Sequence, residues 1–437
     1  MRCHQILKAH GLLDRPKEYL VRPHEKEEIR FLSSSDGRLR ELEELVHALY
    51  IIDREYSETR SLTFKVNNTE IWTELKDVIE ALYSFLTNRF LELKIEKTQS
   101  SRSLQTVLLG ASASFAKRPT VTCLFSGGMD STAGVLKIGH MEEPLLHHTI
   151  TGKVIKGKVC RLHDLGPLNE YGLALTDSQL RNIRPGRSSL RGLLFLTNAS
   201  IIANSFDHTC IVMAENGPLM INPQVSQLSP RPTLNAHPFL VKCFERILRR
   251  LTDKKFEITC IFKEKTKAEI FALTTKQADL INKTYSCFTV QGQEKMCGIC
   301  YACFVRRVSA LSINHREPQI LYSMDPFSID IGELGNRSVQ KMNILKDSLS
   351  FFRDILFDDA LVEQVFEDIP KGFFSCGQSI LRRFAEDIFL GTKNYLAATN
   401  RSRLNALGKF AALMIEKEID KDVLVRRNMQ LQQQLKN

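Results

Sequence analysis

The chain carries a short β-rich run, TVTCLF at residues 120–125, that leads directly into the glycine turn Ser126-Gly127-Gly128 and a helical run. Two adjacent glycines let the backbone turn tightly and approach a ligand closely. The helix N-terminus that follows presents N–H groups and a partial positive charge to an anion. By itself a glycine turn between a strand and a helix is an ordinary connection, but the full motif SGGMDS at the end of a β-rich strand favours a phosphate site at the carboxyl edge of an α/β sheet.

The sequence that follows this motif also alternates between strand-like and helical runs. From residue 119 onward, short β-rich runs such as TCIVMA and FEITCIF alternate with helical runs such as TKAEIFALTTKQA. This alternation is typical of an α/β unit with a parallel sheet. The pattern over residues 141–185 does not predict an order of elements.

Membrane insertion is not expected from the apolar runs. The best candidate, residues 192–206, is interrupted by Thr197, Asn198 and Asn204, and a membrane-spanning helix needs roughly 18 apolar residues. The first twenty residues mix charges with apolar residues and lack the continuous apolar stretch of a signal peptide. We therefore expect a cytoplasmic protein without a membrane segment.

Helical periodicity dominates on both sides of the α/β region. The segment RLRELEELVHALYIIDREYS places four apolar residues at helical spacing, namely Leu42, Leu45, Leu49 and Ile52. The polar run at residues 96–105 predicts a linker. The sequence thus predicts a helical accessory region at 1–117, an α/β domain at 118–320 and a helical region at 321–437.

Four of the eleven cysteines fall within 17 residues, with the spacing C-x9-C-x2-C-x2-C; they are Cys287, Cys297, Cys300 and Cys303. Four thiolates complete a tetrahedral zinc site and leave no position for a catalytic water, so the pattern predicts a structural zinc. An iron–sulfur cluster accepts four cysteines as well, and unpaired core cysteines are the third interpretation.

The motif SGGMDS resembles the pyrophosphate loop of the N-type ATP pyrophosphatases, which cleave ATP between its α and β phosphates. It lacks the Walker lysine pattern, so γ-phosphate chemistry is disfavoured. The resemblance implies that Asp130 caps the loop or helps to hold Mg²⁺. It also implies an ATP-binding loop made of Ser126, Gly127, Gly128, Met129, Ser131 and Thr132.

Loop and cysteines together narrow the resemblance to 7-cyano-7-deazaguanine synthase, the QueC family. The shared pattern, over roughly residues 118–312, is SGGMDS, PGR, the TKAE motif at 266–269 and the cysteine ribbon ending in Arg306. The resemblance implies a parallel-sheet adenine nucleotide alpha-hydrolase-like (PP-loop) domain. It further implies catalytic roles for Asp130, Lys267 and Arg306, with Lys267 or an arginine on the α-phosphate.

The chain departs from the synthase pattern where the second substrate approaches. It has Glu215 after the TCIVMA run and then LSPRPTLNAHPF at 228–239. We expect Glu215, Arg231 and His237 to bind substrate. For His237 the reason is that Pro232 and Pro238 stiffen a loop that aims it at a ligand. Arg191 is expected to bind a phosphate or a substrate carboxylate, with a solvated surface position as the alternative.

The added terminal regions make the chain similar to the QatC type of bacterial anti-phage systems. That resemblance implies an ATP-dependent ligase that adenylates a 7-deazaguanine-type carboxylate and joins it to an amine on a partner protein from the same operon. The alternatives are a preQ0 synthase that uses ammonia, a tRNA-modifying pyrophosphatase and a catalytically silent scaffold.

The expected cofactors and partners follow from the same interpretation. ATP, Mg²⁺ and Zn²⁺ are the cofactors, and a homodimer is an alternative role for the added helices. The net charge of +10 is spread along the chain without a tract of five or six like charges, so it is a weak indicator that fits nucleic acid, nucleotide phosphates or no acidic partner. The proposed reaction does not require nucleic acid.

Overall fold

A computed structural model gives the fold of the protein. The structure describes residues 18–22, 29–32, 37–56, 58–98, 120–139, 144–150, 174–179, 188–229, 232–287, 295–330, 332, 334–399 and 401–436. Most of the expected linker at 96–105 lies outside the described residues, as does most of the segment 141–185. Among the described residues no helix is both long enough and apolar enough to cross a lipid bilayer.

The chain divides into two compact units. The first comprises Met1–Ser126, Gly134–Met213 and Thr233–Ile261. The second comprises Gly127–Ala133, Ala214–Pro232 and Phe262–Asn437. These units differ from the three consecutive regions that the sequence predicts, because each unit is assembled from separate stretches of chain.

The strands belong to the first unit. They are β1 (Glu18–Arg22), β2 (Ile29–Leu32), β3 (Ser61–Val66), β4 (Glu92–Lys97), β5 (Val121–Leu124), β6 (Pro144–Ile150), β7 (Ala174–Gln179), β8 (Cys210–Met213) and β9 (Glu257–Cys260). A seven-stranded sheet has the order β2-β1-β7-β6-β5-β8-β9, and the five strands from β7 to β9 in this order are parallel. The predicted α/β fold with a parallel sheet is therefore confirmed.

The order of the parallel strands creates a switch point. The chain proceeds from β5 to β6 and β7 on one side of β5, and later to β8 and β9 on its other side. Adjacent strands whose connections leave in opposite directions open a crevice at their carboxyl ends, where α/β proteins bind ligands. The switch point therefore lies at the carboxyl ends of β5 and β8.

The described helices, in chain order, are α1 (Gly37–Glu55), α2 (Thr69–Thr87), α3 (Met129–Ile138), α4 (Arg191–Ser205), α5 (Gly217–Ile221), α6 (Pro238–Thr252), α7 (Lys267–Leu273), α8 (Ala278–Lys283), α9 (Tyr301–Ser312), α10 (Asn336–Phe357), α11 (Asp359–Phe366), α12 (Ser379–Ala397), α13 (Ala406–Lys417) and α14 (Lys421–Lys436). The apolar stripe predicted for α1 is buried, with Leu42, Leu45, Leu49 and Ile52 at most 2% exposed.

The N-terminal region is mixed rather than helical. Strands β1 and β2 extend the large sheet in antiparallel pairing, and β3 pairs with β4 in parallel. Along β3 the residues Leu62, Phe64 and Val66 are buried in alternation with more exposed neighbours. A period of two over six residues is a weak pattern beside two 19-residue helices, which explains why the sequence analysis predicts only the helices.

The second unit holds the helices from α7 to α14, together with α5 and the start of α3. Helices α9 and α12 pack closely, because Gly391 lies so near α9 that a Cβ there would be 1.9 Å from the Val308 carbonyl oxygen. Helix α14 packs against both α7 and α12. The core of this unit is therefore a set of packed helices around α12.

Candidate functional site

The glycine turn after β5 is held by hydrogen bonds within the second unit. Gly127 has a positive φ of 70°, which glycine adopts without strain. Its carbonyl accepts a hydrogen bond from the Tyr285 N–H at 3.3 Å, and the Ser131 hydroxyl donates to the Gly128 carbonyl at 3.0 Å. Helix α3 then begins at Met129, so its N-terminal N–H groups follow directly from a fixed turn.

Asp130, in the first turn of α3, forms a nearly buried ion pair with Lys267. The Lys267 Nζ lies 2.6 Å from Asp130 Oδ1, and the two side chains are 7% and 9% exposed. The other carboxylate oxygen, Oδ2, accepts a hydrogen bond from Asn216 Nδ2 at 2.8 Å. The structure therefore joins residues from three separate stretches of the chain around one carboxylate.

Lys267 owes its position to the start of α7. Thr266 is the N-cap of this helix, and it forms a capping box with Glu269. Lys267 is thus the first helical residue, and its Nζ also lies 3.9 Å from the Met129 Sδ. A thioether is a weak acceptor, so the ammonium keeps donor capacity beyond the ion pair.

Asn216 is a member of this site that sequence analysis passes over. It caps α5, and its Oδ1 accepts from the Leu219 N–H at 3.1 Å while its Nδ2 donates to Asp130. The cap thus fixes which end of the amide faces the carboxylate. The sequence around Asn216 predicts an N-cap, because an asparagine precedes the Gly-Pro start of a short helix. The neighbouring residues do not predict its hydrogen bond to Asp130, which is 86 residues away.

The backbone after Asn216 needs glycine. The Gly217 N–H donates to the Lys265 carbonyl at 3.1 Å, and a Cβ on Gly217 would lie 2.2 Å from the Lys263 carbonyl oxygen. This close approach brings the segment that follows β8 against the segment that leads into α7. It explains how Asn216 and Lys267 reach the same carboxylate.

The four cysteines meet as the spacing predicts. Their Sγ atoms all lie within 4.8 Å of one another, with Cys300 and Cys287 separated by 3.9 Å and Cys297 and Cys303 by 4.0 Å. A tetrahedral zinc ion with Zn–S bonds of about 2.3 Å separates its sulfurs by about 3.8 Å. The cluster therefore fits zinc with little adjustment.

The chemistry of the thiols also calls for a cation. The pKa of Cys287 is lowered to about 6, because hydrogen bonds from Cys300 and Cys303 outweigh the opposing effect of Cys297, which is the largest single contribution. The contact with Cys287 raises the pKa of Cys300 and of Cys303. A divalent ion at the centre of the cluster would favour the thiolate form of all four cysteines.

Gly298 shapes the turn between two of these ligands. Its φ is 82°, and a Cβ there would lie 1.9 Å from the Met324 carbonyl oxygen. The neighbouring backbone is fixed by hydrogen bonds from Met296 N to the Leu321 carbonyl and from Ser323 N to the Met296 carbonyl, each 2.8 Å. The ribbon is thus tied to the segment that follows α9.

Arg306 is placed inside the fold of the second unit. Its guanidinium is fully buried and pairs with Glu317, with Nη2 to Oε1 at 2.7 Å. It also donates to the carbonyls of Thr284 and Ile281, each at 2.9 Å. These contacts clamp the segment before the ribbon onto α9. Its predicted catalytic role stays a prediction, and the described contacts assign it to the support of the ribbon.

The remaining predicted site residues are spread over the molecule. His237 is a buried N-cap of α6 in the first unit, where its Nδ1 accepts from the Phe239 N–H at 3.2 Å. Burial lowers the pKa of His237 to about 4, so the ring is neutral near pH 7. Arg191 begins α4, with its guanidinium 5.9 Å from the centre of the Phe195 ring.

Four further predicted site residues are Glu215, Ser126, Thr132 and Arg231. Glu215 directly precedes Asn216 and is partly exposed. Ser126 is exposed and lies two residues after the end of β5. The hydroxyl of Thr132 is buried without a hydrogen-bond partner in the described part of the chain. Arg231 lies outside the described residues, as does the PGR stretch at 185–187.

Comparison with known families gives one match. Residues 189–314 match the family model described as "Queuosine biosynthesis protein QueC". A search of curated proteins gives no match. The matched stretch covers less than a third of the chain; it contains Asn216, Lys267 and the four cysteines but not the glycine turn.

The match and the geometry agree on the kind of chemistry. The polar group around Asp130 adjoins a glycine turn at a helix N-terminus, and the cysteine cluster is compatible with zinc. The matched stretch indicates ATP-using chemistry similar to that of 7-cyano-7-deazaguanine synthase. The chain therefore contains a QueC-like region, and the comparison supports a QueC-like family for it.

Proposed function

We propose that the protein is an ATP-dependent ligase that adenylates a carboxylate of the 7-deazaguanine type and joins the acyl group to an amine. The observation that carries this proposal is the Asp130–Lys267–Asn216 group beside the glycine turn. It combines a helix N-terminus, a cation with spare donors and an oriented carboxylate, which are the groups that bind a nucleoside triphosphate.

In the first step the substrate carboxylate oxygen attacks the α-phosphorus of ATP, and the bond from that phosphorus to the bridging oxygen breaks. The products are an acyl-adenylate and pyrophosphate. Lys267 donates to the phosphate oxygens, while the N–H groups of the turn and of α3 stabilise the leaving pyrophosphate. Asp130 would hold the Mg²⁺ that accompanies ATP, and the positive charge held there would neutralise part of the phosphate charge.

In the second step an amine nitrogen attacks the acyl carbon, and AMP leaves with the electron pair of the carbon–oxygen bond. The nitrogen loses a proton, so the products are an amide, AMP and H⁺. A carboxylate needs no strong base to attack phosphorus, and the protein therefore acts mainly by positioning and charge. The zinc would cross-link the ribbon and take no part in either step.

We further propose that the amine belongs to a partner protein and that the reaction serves anti-phage defence. More than two thirds of the chain lies outside the matched stretch, and ammonia needs no additional protein surface to reach an acyl-adenylate. Residues beyond a compact catalytic core are consistent with docking of a large acceptor.

The test is the release of AMP and pyrophosphate from ATP in the presence of 7-carboxy-7-deazaguanine. Lys267→Met should abolish release, whereas Lys276→Met, which changes an exposed lysine nine residues further along, should leave it intact. AMP release that is independent of the carboxylate, or equal in both variants, would contradict the ligase assignment.

The second candidate is a synthase that forms the nitrile with ammonia, and the family match favours it. The two candidates differ in the acceptor. A deazaguanine-sized mass on a protein co-expressed from neighbouring genes, dependent on Asp130, supports the ligase. Efficient formation of the nitrile from the free acid with ammonia, without any adduct, supports the synthase.

A further inference from the structure

A buried cluster of charges lies beneath the first turn of α7. We name it the Arg427 cluster, and its members are Thr266, Glu269, Arg383, Asp387 and Arg427. Two members come from α7 and its cap, two from α12 and one from α14. The cluster therefore ties the Lys267 helix to two helices that lie outside the QueC-like match.

Arg427 is the centre of the cluster. Its Nε donates to Asp387 Oδ1 at 2.7 Å, and its Nη2 donates to Glu269 Oε1 at 2.9 Å. Its Nη1 donates to Gln430 Oε1 at 3.1 Å. One planar guanidinium thus bridges a carboxylate on α12 and a carboxylate on α7, a geometry that lysine does not reproduce.

The cluster is largely buried and pairs two carboxylates with two guanidinium groups, while a third carboxylate, Glu386, lies 3.9 Å from Arg427 Nε and is 23% exposed. The side chains of Arg427, Glu269 and Asp387 are at most 1% exposed, and Arg383, at 25% exposure, adds a second cation 2.7 Å from Glu269. Burial raises the pKa of Asp387, and the neighbouring Arg427 opposes that effect. Loss of Arg427 alone would leave two buried carboxylates with one partly exposed cation.

The cluster reaches Lys267 through the cap of its helix. The Thr266 hydroxyl donates to Asp387 and accepts from the Glu269 N–H at 3.3 Å, while Glu269 Oε2 accepts from the Thr266 N–H at 3.1 Å. Lys267 stands between these two residues. Their side chains hold the backbone from which Lys267 reaches Asp130 at 2.6 Å.

We infer that Arg427 is a positioning residue, which fixes Lys267 for the reaction through Glu269 and the Thr266–Asp387 contact. The inference rests on the proposed function for its activity measurement only. The structural part of the inference is that α12 and α14 hold the start of α7 through Thr266 and Glu269. These C-terminal helices therefore contribute to catalysis without contacting the substrate.

The experiment compares four full-length variants with the unchanged protein. Arg427→Met removes the bridge, and Arg427→Met with Asp387→Asn removes it while keeping the buried charges balanced, so that a folded form is available. Arg427→Lys keeps the positive charge but lacks the planar guanidinium that donates to both Asp387 and Glu269. Arg353→Met is the matched control, because Arg353 pairs with Asp354 and Glu418 and lies outside the cluster.

Two measurements are made on protein that retains its helical circular dichroism and its zinc. The first is AMP formation, for which we expect kcat to fall by about tenfold to a hundredfold in the double variant, with the KM for ATP changed by about twofold at most. Arg427→Lys should recover part of the kcat, and Arg353→Met should match the unchanged protein.

The second measurement does not depend on the reaction. It is the rate at which Lys267 reacts with an amine-directed acylating reagent, measured by mass spectrometry relative to the exposed Lys393. Release of the α7 cap should raise this relative rate severalfold in the double variant but not in Arg353→Met. If the unchanged protein forms no AMP, the proposed function fails, and the labelling still decides this inference.

A folded double variant with unchanged kcat and unchanged Lys267 labelling would overturn the inference. The same holds if kcat falls in proportion to the folded fraction alone, because that outcome describes a residue that only stabilises the second unit.

Discussion

Two of the buried ion pairs in the second unit have almost equal lengths and very different surroundings. Arg306 pairs with Glu317 at 2.7 Å, and Lys267 pairs with Asp130 at 2.6 Å. The first pair is at most 2% exposed, whereas the second is 7% and 9% exposed. Distance alone therefore does not distinguish them.

The difference lies in how many donors the protein itself satisfies. The Arg306 guanidinium donates to Glu317 and to the backbone carbonyls of Thr284 and Ile281. The Lys267 ammonium has Asp130 and a weak thioether acceptor among the described contacts. A saturated buried pair supports a fold, whereas a pair with spare donors is suited to an anionic ligand.

The largest effect should come from the cluster of four cysteines, whose geometry is compatible with zinc. We expect Cys300→Ser to lose about one zinc per chain and to unfold the ribbon, since zinc contributes on the order of 10 kcal/mol in small modules. Elemental analysis and thermal unfolding measure this. Cys376→Ser, outside the cluster, is the control; iron in the purified protein, or a folded metal-free protein, would contradict the prediction.

The next effect concerns the pair with spare donors. Asp130→Ala should reduce AMP formation by about a hundredfold to a thousandfold, because the variant loses the carboxylate that orients Lys267 and holds Mg²⁺. Zinc content should stay close to that of the unchanged protein, and the variant should remain folded, with a smaller loss in the free energy of unfolding than the fully buried Arg306–Glu317 pair gives. Ser126→Ala is expected to reduce AMP formation as well, and full turnover by both variants would remove the pyrophosphatase assignment.

The saturated pair should behave in the opposite way. Arg306→Met leaves Glu317 buried without its partner, and we expect a loss of about 3–5 kcal/mol in the free energy of unfolding. The double variant Arg306→Met with Glu317→Gln should recover part of that loss. A fall in kcat of the folded double variant would support the catalytic role that the sequence predicts for Arg306.

His237 extends the comparison to the first unit, where the Nδ1 of this buried imidazole accepts a hydrogen bond from the Phe239 N–H. Its pKa falls from about 6.5 in the unfolded chain to about 4 in the folded protein because of burial. Above pH 6.5 the stability contribution is fully present, and it is lost as the pH falls from 6.5 towards 4, by roughly 3 kcal/mol.

Denaturant unfolding at pH 7, 5.5 and 4 measures this loss. Asn caps helices well, so His237→Asn should keep most of the stability at pH 7 and lose much of the decline towards pH 4. An unchanged pH profile in this variant would show that another group causes the decline. A selective rise in the KM of the carboxylate substrate would instead support the substrate-binding role predicted for His237.

The smallest expected effect concerns the orientation of Asp130. Asn216→Asp keeps the acceptor for the Leu219 N–H but places a second carboxylate beside Asp130. We expect kcat to fall by about tenfold with little change in stability. Asn68→Asp makes the same change at the N-cap of α2, and an equal effect of the two substitutions on kcat would contradict the orienting role of Asn216.

Local patterns predicted the parts of the site that depend on local spacing. The strand, turn and helix around Gly127 are consecutive in the sequence, and so are the short steps between Cys297, Cys300 and Cys303. In each case the residue types and the spacing already specify a backbone shape and a ligand geometry.

Local sequence patterns did not predict contacts between residues that are far apart in the chain. Asn216 and Asp130 are 86 residues apart, and Arg427 and Glu269 are 158 apart. A capping asparagine or an arginine on an amphipathic helix has the same local pattern whether it faces solvent or a buried carboxylate. Only the packing of the helices decides between these environments, and local periodicity does not encode it.

The separation of Arg427 from Glu269 also has a consequence for synthesis. At about 5–20 residues per second, the ribosome adds the 158 residues between them in about 8–30 seconds. All four cysteines are made within the first 34 of these residues, so during the remaining 124 the nascent chain carries the cysteines but not Arg427. We therefore expect a ribosome that stalls in this stretch to leave a polypeptide able to capture metal before its Lys267 helix is anchored.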